Sequence, residues 1–438
     1  MWMIFQFSTL LTILHIVIAL TLSIRVIMRR PATGVALAWV LLVSAVPFVG
    51  AIVYLLVGER RVGLRRAKRL AELRVDYSKL VEMIEQRATA VVDWDRHQPV
   101  ARGMDRLGRA LVGFPTVAGC VGTLYCDAHE ILEAIADDIR SAEKSVLMEF
   151  YIWNEGGLAD DVLEALMQAA RRGVSCRLLV DALGGRPWWK GDQPQQLREA
   201  GVAVEAALPV GIFQTLVGRN DLRLHRKIVV VDGRVAWTGS MNLVDPLFFK
   251  VDANVGQWID CMLRAEGSVV MPLAMTMIGD WLLETGESLE EIIRSAKLTY
   301  VAPKGEGDMQ VIPSGPGETD DAILQMMLST ISAAQDELVL TTPYFVPDDS
   351  MLRALRGAAG RGVQVDLILP AKVDSLMTRY AARSYYDELM DAGVRIHLYE
   401  DGLLHTKSIT ADRHVSMFGT ANLDMRSLWL NYEVCLFV

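Results

Sequence analysis

The hydrophobic pattern divides the chain before any motif is considered. Residues 2–24 are apolar except for Gln6, Ser8, Thr9, Thr12, His15, Thr21 and Ser23, and a second apolar run covers 34–57. Each run is close to the ~20 residues a helix needs to cross the hydrocarbon core of a bilayer. A signal peptide would want a basic start and a small-residue cleavage site. This run instead starts Met-Trp-Met-Ile and ends in Arg25, Arg29 and Arg30. The pattern therefore predicts a hairpin of two membrane helices over 1–58, with His15 tolerated inside the helix pair. Six basic residues (Arg60, Arg61, Arg65, Arg66, Lys68 and Arg69) follow the second run, against three between the runs. The positive-inside bias then makes the protein multi-pass, with both ends and the C-terminal bulk in the cytoplasm. The same cluster suits an anionic lipid surface, or simply a solvated helix face.

Residues 59–120 are charged and helical in pattern, and read as a basic linker. From 121 onward the pattern alternates helix and strand, and it repeats. A helix end and a buried strand over 141–152 match 333–344. Arg172-Gly173-Val174 and Arg361-Gly362-Val363 lead into apolar strands at 175–180 and 364–369. Ala200-Gly201-Val202 likewise matches Ala392-Gly393-Val394. The predicted class is α/β: two pseudo-symmetric halves, 121–266 and 311–438, joined by a helix and linker over 267–310. Each half has a mixed sheet flanked by helices, and a pseudo-two-fold axis relates them. The first half carries about 12 extra residues within 207–220, an apolar stretch that either dips into the lipid interface or packs on the protein.

Composition narrows the class. At 438 residues with 52% hydrophobic side chains, the chain is multi-domain and richer in apolar residues than most soluble proteins. A net charge of −9 argues against a general nucleic-acid binder. The five cysteines are odd in number, scattered and free of any CxxC spacing, which disfavours a zinc site or disulfide framework and suggests small buried side chains in a reducing compartment.

The candidate chemistry sits in a frame spelled twice. His225-Arg226-Lys227, then Asp232, then Gly239-Ser240-Met241-Asn242 has the same internal offsets as His405-Thr406-Lys407, Asp412 and Gly419-Thr420-Ala421-Asn422. The candidate catalytic set is thus His225, Lys227, Asp232, His405, Lys407 and Asp412. On a strand over 224–231, His225 and Lys227 share a face. Asp232-Gly233 makes a hairpin turn and 234–238 returns. That puts Asp232 roughly 23 Å from His225 at ~3.3 Å per residue, so both motif aspartates read as turn residues. Ser240, Asn242, Thr420 and Asn422 fall beside the histidines and are candidate phosphate ligands. Asp260, ending the strand text Trp258-Ile259, and Glu433, 28 residues after His405, are candidate acceptors for an imidazole Nδ1 proton.

Two imidazoles across a phosphodiester can divide nucleophilic and acid–base work, while Lys227 and Lys407 neutralise non-bridging oxygens; no metal or other cofactor is required. The paired HxKxxxxD frames resemble the phospholipase D superfamily. More closely, the chain resembles the bacterial cardiolipin synthases of that superfamily. The similarity extends to the apolar hairpin text at 47–61, Gly-Ser-Met-Asn-Leu-Val-Asp-Pro at 239–246, Thr-Thr-Pro-Tyr-Phe-Val-Pro at 341–347 and Gly-Leu-Leu-His-Thr-Lys-Ser at 402–408. The resemblance implies two phospholipase D-like halves. It also implies transfer of a phosphatidyl group from one phosphatidylglycerol to another in a bacterial inner membrane, through a phosphohistidine on His225 with His405 as acid and base. Such synthases usually continue past the equivalent of Val438 in a helical tail, so an uncovered edge is expected in the second half. A phospholipase D-type hydrolase is the nearest rival, since the acceptor alone separates the two. A membrane-tethered nuclease and a non-catalytic scaffold fit the charge and the intact His-Lys pairs less well.

Overall fold

The computed structural model describes residues 2–31, 33–58, 66, 68–69, 90–211, 221–298, 301–317, 319 and 321–438. The chain divides into two compact units, residues 1–65 with 210–220, and 66–209 with 221–438. Most of the apolar stretch expected at the lipid interface (212–220) and three residues of the basic cluster, Arg60, Arg61 and Arg65, fall outside the described residues.

Among the described residues of the first unit, one helix, Trp2–Met28, contains a span long and apolar enough to cross a bilayer. The second apolar run differs from the single helix expected. It breaks into Thr33–Ala45, Val49–Val53 and a π-helical turn at Tyr54–Gly58. Pro47 is the reason: its ring disfavours helical backbone at the residue before it, it has no N–H to donate, and Phe48 follows at φ 60°. His15 hydrogen-bonds the carbonyl of Ser44 at 3.1 Å, which gives its polar ring a partner between the helices.

The second unit carries a repeated sheet. In the first half the strand order is Ala203–Ala207, Ser175–Asp181, Ser145–Phe150, Ile228–Val231, Val235–Gly239, Met262–Gly267, Val117–Tyr125. The second half repeats it: Arg395–Tyr399, Gln364–Pro370, Glu337–Thr341, Ser408–Ala411, Val415–Gly419, Asn431–Phe437, Gly307–Ser314. The first three strands of each set are mutually parallel and the remainder antiparallel. The sets join antiparallel through Val117↔Met309, so one sheet runs through both halves. The C-terminal strand is flanked on both sides, and the outermost strand of the second half is Arg395–Tyr399. The helix-to-strand turns need glycine: Gly173, Gly201, Gly362 and Gly393 all take φ between 90° and 98°, where a Cβ is strained. Each half has its own apolar core, one around Ile135, Leu166 and Val229, the other around Met326, Leu355 and Ile409.

The helices flanking the first half are both packed against the fold. The helix Pro99–Val112 is not a free linker: Met104 is buried in the second half's core, and Gln310 donates to the carbonyls of Asp105 and Phe114. The joining helix, Val270–Glu284, is buried along nearly its whole length. The cysteine reading is also corrected, because Cys126 and Cys261 are paired as a disulfide. Cys126 follows Tyr125 and Cys261 precedes its antiparallel partner Met262, so the next cross-strand pair brings the thiols together. A separation of 135 residues hid this. Cys120, Cys176 and Cys435 are free and buried.

Candidate active site

Two short parallel ladders build the site, and each crosses between halves. Arg223 pairs with Asn431 and Leu224 with Tyr432, so the next residues, His225 and Glu433, lie side by side. Leu403 pairs with Trp258 and Leu404 with Ile259, which brings His405 beside Asp260. Backbone bonds lock both registers: the His225 N–H donates to Tyr432 O and the His405 N–H to Ile259 O. The imidazoles follow, with His225 Nδ1 2.8 Å from Glu433 Oε2 and His405 Nδ1 2.7 Å from Asp260 Oδ1. Each histidine is bound by the acid of the opposite half, not by the one in its own half. Neither half therefore holds a complete histidine–carboxylate pair by itself.

The candidate phosphate ligands are placed differently from the sequence reading. Ser240 Oγ donates to Asp260 at 2.5 Å and accepts from Cys261 N at 3.0 Å. Thr420 Oγ1 donates to Glu433 at 2.6 Å and accepts from Val434 N at 2.9 Å. Both hydroxyls are fully buried behind the carboxylates and hold them in place instead of facing a phosphate. Asn242 accepts from Ile152 N and Asn422 donates to Ser427 Oγ. Asp232 and Asp412 occupy the hairpin turns at φ 54° and 52°. Their carboxylates accept from three successive N–H groups each, Glu143, Lys144 and Ser145 for one, Gln335, Asp336 and Glu337 for the other. Asp232 thus tethers the start of strand Ser145–Phe150 to the hairpin, at the end remote from His225.

Burial sets the electrostatics. It pushes His225 and His405 down to about 4, with Lys227 and Lys407 acting in the same direction on His225, and the carboxylates opposing. Both imidazoles are accordingly neutral near pH 7. With Nδ1–H given to the carboxylate, each Nε2 keeps its lone pair. Burial also lowers Lys227 to about 8 and Lys407 to about 7. Asp260 is raised by burial but held down to about 2 by His405, Lys407 and the Ser240 hydroxyl. The lysine contacts differ between the frames. Lys227 Nζ donates to the His225 carbonyl at 2.7 Å. Lys407 Nζ donates to the His405 carbonyl and also lies 2.9 Å from His405 Nε2, capping that lone pair.

Sequence reasoning missed several supporting groups. Arg226, buried between the halves, binds Asp280 at 2.6 Å and the carbonyls of Glu433 and Ser314. The rings of Tyr151 and Trp258 lie 5.1 and 4.6 Å from those of His225 and His405. Arg226 stood inside the first frame where the second has Thr406, an asymmetry that marked it; the aromatic rings carried no such signal. Among the described residues there is no group of three or more His, Cys, Asp or Glu placed to hold a metal ion.

Known proteins resemble this chain. A family model described as "Cardiolipin synthase, PLD-like domain" matches residues 135–254 and 327–438, and "Phospholipase D-nuclease N-terminal" matches 17–59. Proteins named Cardiolipin synthase A from Yersinia pseudotuberculosis serotype O:1b and Yersinia pestis bv. Antiqua are 42% identical over 416 residues, covering 95% of this chain and 85% of theirs. A crystal structure of phosphatidylserine synthase from Haemophilus influenzae overlays with a TM-score of 0.55 at 15% identity, covering 76% of this chain and 86% of that one, a likeness of fold.

Proposed function

The chain belongs to the cardiolipin synthase family of phospholipase D-like phosphatidyltransferases, and from that premise we propose that it joins two phosphatidylglycerol molecules into cardiolipin, releasing glycerol through a phosphohistidine on His225. The observation that carries this reading is the crossed pairing: two neutral imidazoles, each with a lysine beside it and each oriented by a carboxylate from the opposite half. In the first step Lys407 passes a proton to His405 Nε2, His225 Nε2 attacks phosphorus, the phosphorus–oxygen bond to the glycerol headgroup breaks, and His405 gives that proton to the departing oxygen. In the second, a hydroxyl of another phosphatidylglycerol passes its proton to His405, which returns it to Lys407, while the hydroxyl's oxygen displaces His225. Cardiolipin leaves, and both histidines return to their starting states.

The assignment of roles rests on how the two lysines contact their histidines. His225 Nε2 carries a lone pair that Lys227 does not cap, as a nucleophile requires. His405 Nε2 accepts from Lys407, an ammonium whose pKa burial has lowered to about 7 and which can supply the proton that makes His405 an acid. Glu433 stabilises the positive charge that develops on His225 as the new bond forms. We also place the protein in the bacterial inner membrane as a multi-pass protein, with the catalytic unit on the cytoplasmic side, a reading supported by the basic residues after the apolar runs.

Vesicles containing labelled phosphatidylglycerol and the purified full-length protein test the reaction. Cardiolipin and glycerol in equal amounts are expected. Phosphatidic acid as the main product would instead make the protein a hydrolase, and absence of turnover would refute both.

A further inference from the structure

We infer that two loops beside His405, one from each half, form a docking surface for an anionic lipid bilayer. The loops meet through an ion pair: Lys250 Nζ lies 2.8 Å from Asp374 Oδ2, and the Tyr344 hydroxyl donates to Asp374 Oδ1 at 2.7 Å. This pair forms the layer next to the site. Lys250 Nζ is 5.2 Å from the centre of the Trp258 ring, and the Trp258 ring is 4.6 Å from His405. Beyond it both loops expose large apolar side chains. The first presents Leu247, Phe248 and Val251 at 50%, 56% and 66% exposure; the second presents Leu376, Met377 and Tyr380 at 67%, 85% and 67%. Single exposed hydrophobics are ordinary, but six on two loops clasped together form a patch, and patches of this kind mark contact surfaces.

The composition of the second loop identifies the occupant. Leu376–Arg383 is a short helix capped by Ser375, whose Oγ accepts from Thr378 N. Leu376, Met377 and Tyr380 recur at i, i+1 and i+4, while Arg379 and Arg383 recur at i+3 and i+7 with exposed Lys372 just upstream. An apolar stripe beside a basic stripe is the pattern of a helix lying in the plane of a bilayer, its apolar side in the acyl boundary and its cations among anionic headgroups. A second protein copy would match the apolar side chains but not the surplus of cations: Lys250, Lys372, Arg379 and Arg383 against Asp252 and Asp374. The reactive histidines are themselves only 8% and 3% exposed, so a headgroup has to rise out of a bilayer held close to the cleft. This inference rests on the lipid substrate proposed above.

Nitroxide labels on full-length protein in phosphatidylglycerol-containing vesicles test it, since the three free cysteines are buried. Labels at Phe248→Cys and Met377→Cys are expected to be accessible to oxygen and shielded from a water-soluble nickel chelate. A label at Arg413→Cys, in the hairpin turn at the opposite end of the strand from His405, should show the reverse. Rim labels as nickel-accessible as the Arg413→Cys label would overturn the inference, as would rim labels shielded from both reagents, which indicate a protein partner. Phe248→Glu/Met377→Glu should raise KM for vesicle phosphatidylglycerol roughly tenfold, with turnover of monomeric short-chain phosphatidylglycerol unchanged. An equal loss on both forms, or none on either, contradicts docking. If the unaltered protein turns over neither form, the proposed reaction fails while the labels still report on docking.

Discussion

Replacing Glu433 by Gln and Asp260 by Asn keeps each side chain's shape and removes its charge, and the two changes should fail in different steps. Glu433 is fully buried, holds the Nδ1 proton of His225 at 2.8 Å, and is itself fixed by Thr420 and Asn431. A charge-assisted bond of this kind contributes about 1.5–3 kcal/mol, and that contribution appears in whichever step makes its imidazole positive. Turnover of phosphatidylglycerol should therefore fall roughly 10- to 150-fold in either variant. The steps separate with phosphatidyl-p-nitrophenol, whose phenolate departs without a proton. In a stopped-flow burst assay Asp260→Asn should regain nearly the unaltered burst rate, because only acid assistance from His405 was impaired. Glu433→Gln should keep its full loss, because the nucleophile itself is weakened. If Glu433→Gln is the variant rescued, the roles of the histidines are reversed. If both are rescued equally, the crossed pairing does not govern the chemistry.

Two further outcomes follow from the electrostatics and the turns. Because His225 and His405 are lowered to about 4 from an ordinary 6.5, the unfolded chain binds more protons than the folded one between those values. Their contribution to stability is therefore lost as pH falls from about 6.5 to 4. The melting temperature should drop across that window, and a His225→Gln/His405→Gln protein should show a shallower drop; an unchanged slope would contradict the buried neutral imidazoles. Asp232→Ala removes the acceptor for three backbone N–H groups and should destabilise the fold by about 2–4 kcal/mol, while the folded fraction still forms the phosphohistidine adduct. A well-folded Asp232→Ala protein unable to form the adduct would place this carboxylate in the chemistry.

Local text carried much of the site. The alternation at 224–238 and the two-residue offset from His225 to Lys227 sufficed for a hairpin with both groups at one end and Asp232 at the other. The matched glycines before residues 175 and 364 sufficed for two α/β halves. Partnership across the halves was not legible, because Glu433 and Asp260 are each nearest in sequence to the histidine they do not bind. Only the ladders Arg223↔Asn431 and Leu403↔Trp258 decide it. The same register explains why Ser240 and Thr420 look like phosphate ligands in sequence: they are near the histidines, but behind them. Pro47, which breaks the second helix, lies inside an apolar run long enough to read as one span. The disulfide between Cys126 and Cys261 depends on strand pairing that spacing alone does not encode.

The central claim is a covalent phosphatidyl intermediate on one particular imidazole. It is tested most directly by mixing His405→Ala protein with phosphatidyl-p-nitrophenol, quenching in alkaline denaturant, and locating the adduct by peptide mass spectrometry. A stoichiometric phosphatidyl group on the peptide containing His225 is predicted, accumulating because the base that activates the acceptor is gone. Release of nitrophenolate with no trapped adduct, or an adduct on any other residue, would contradict the mechanism.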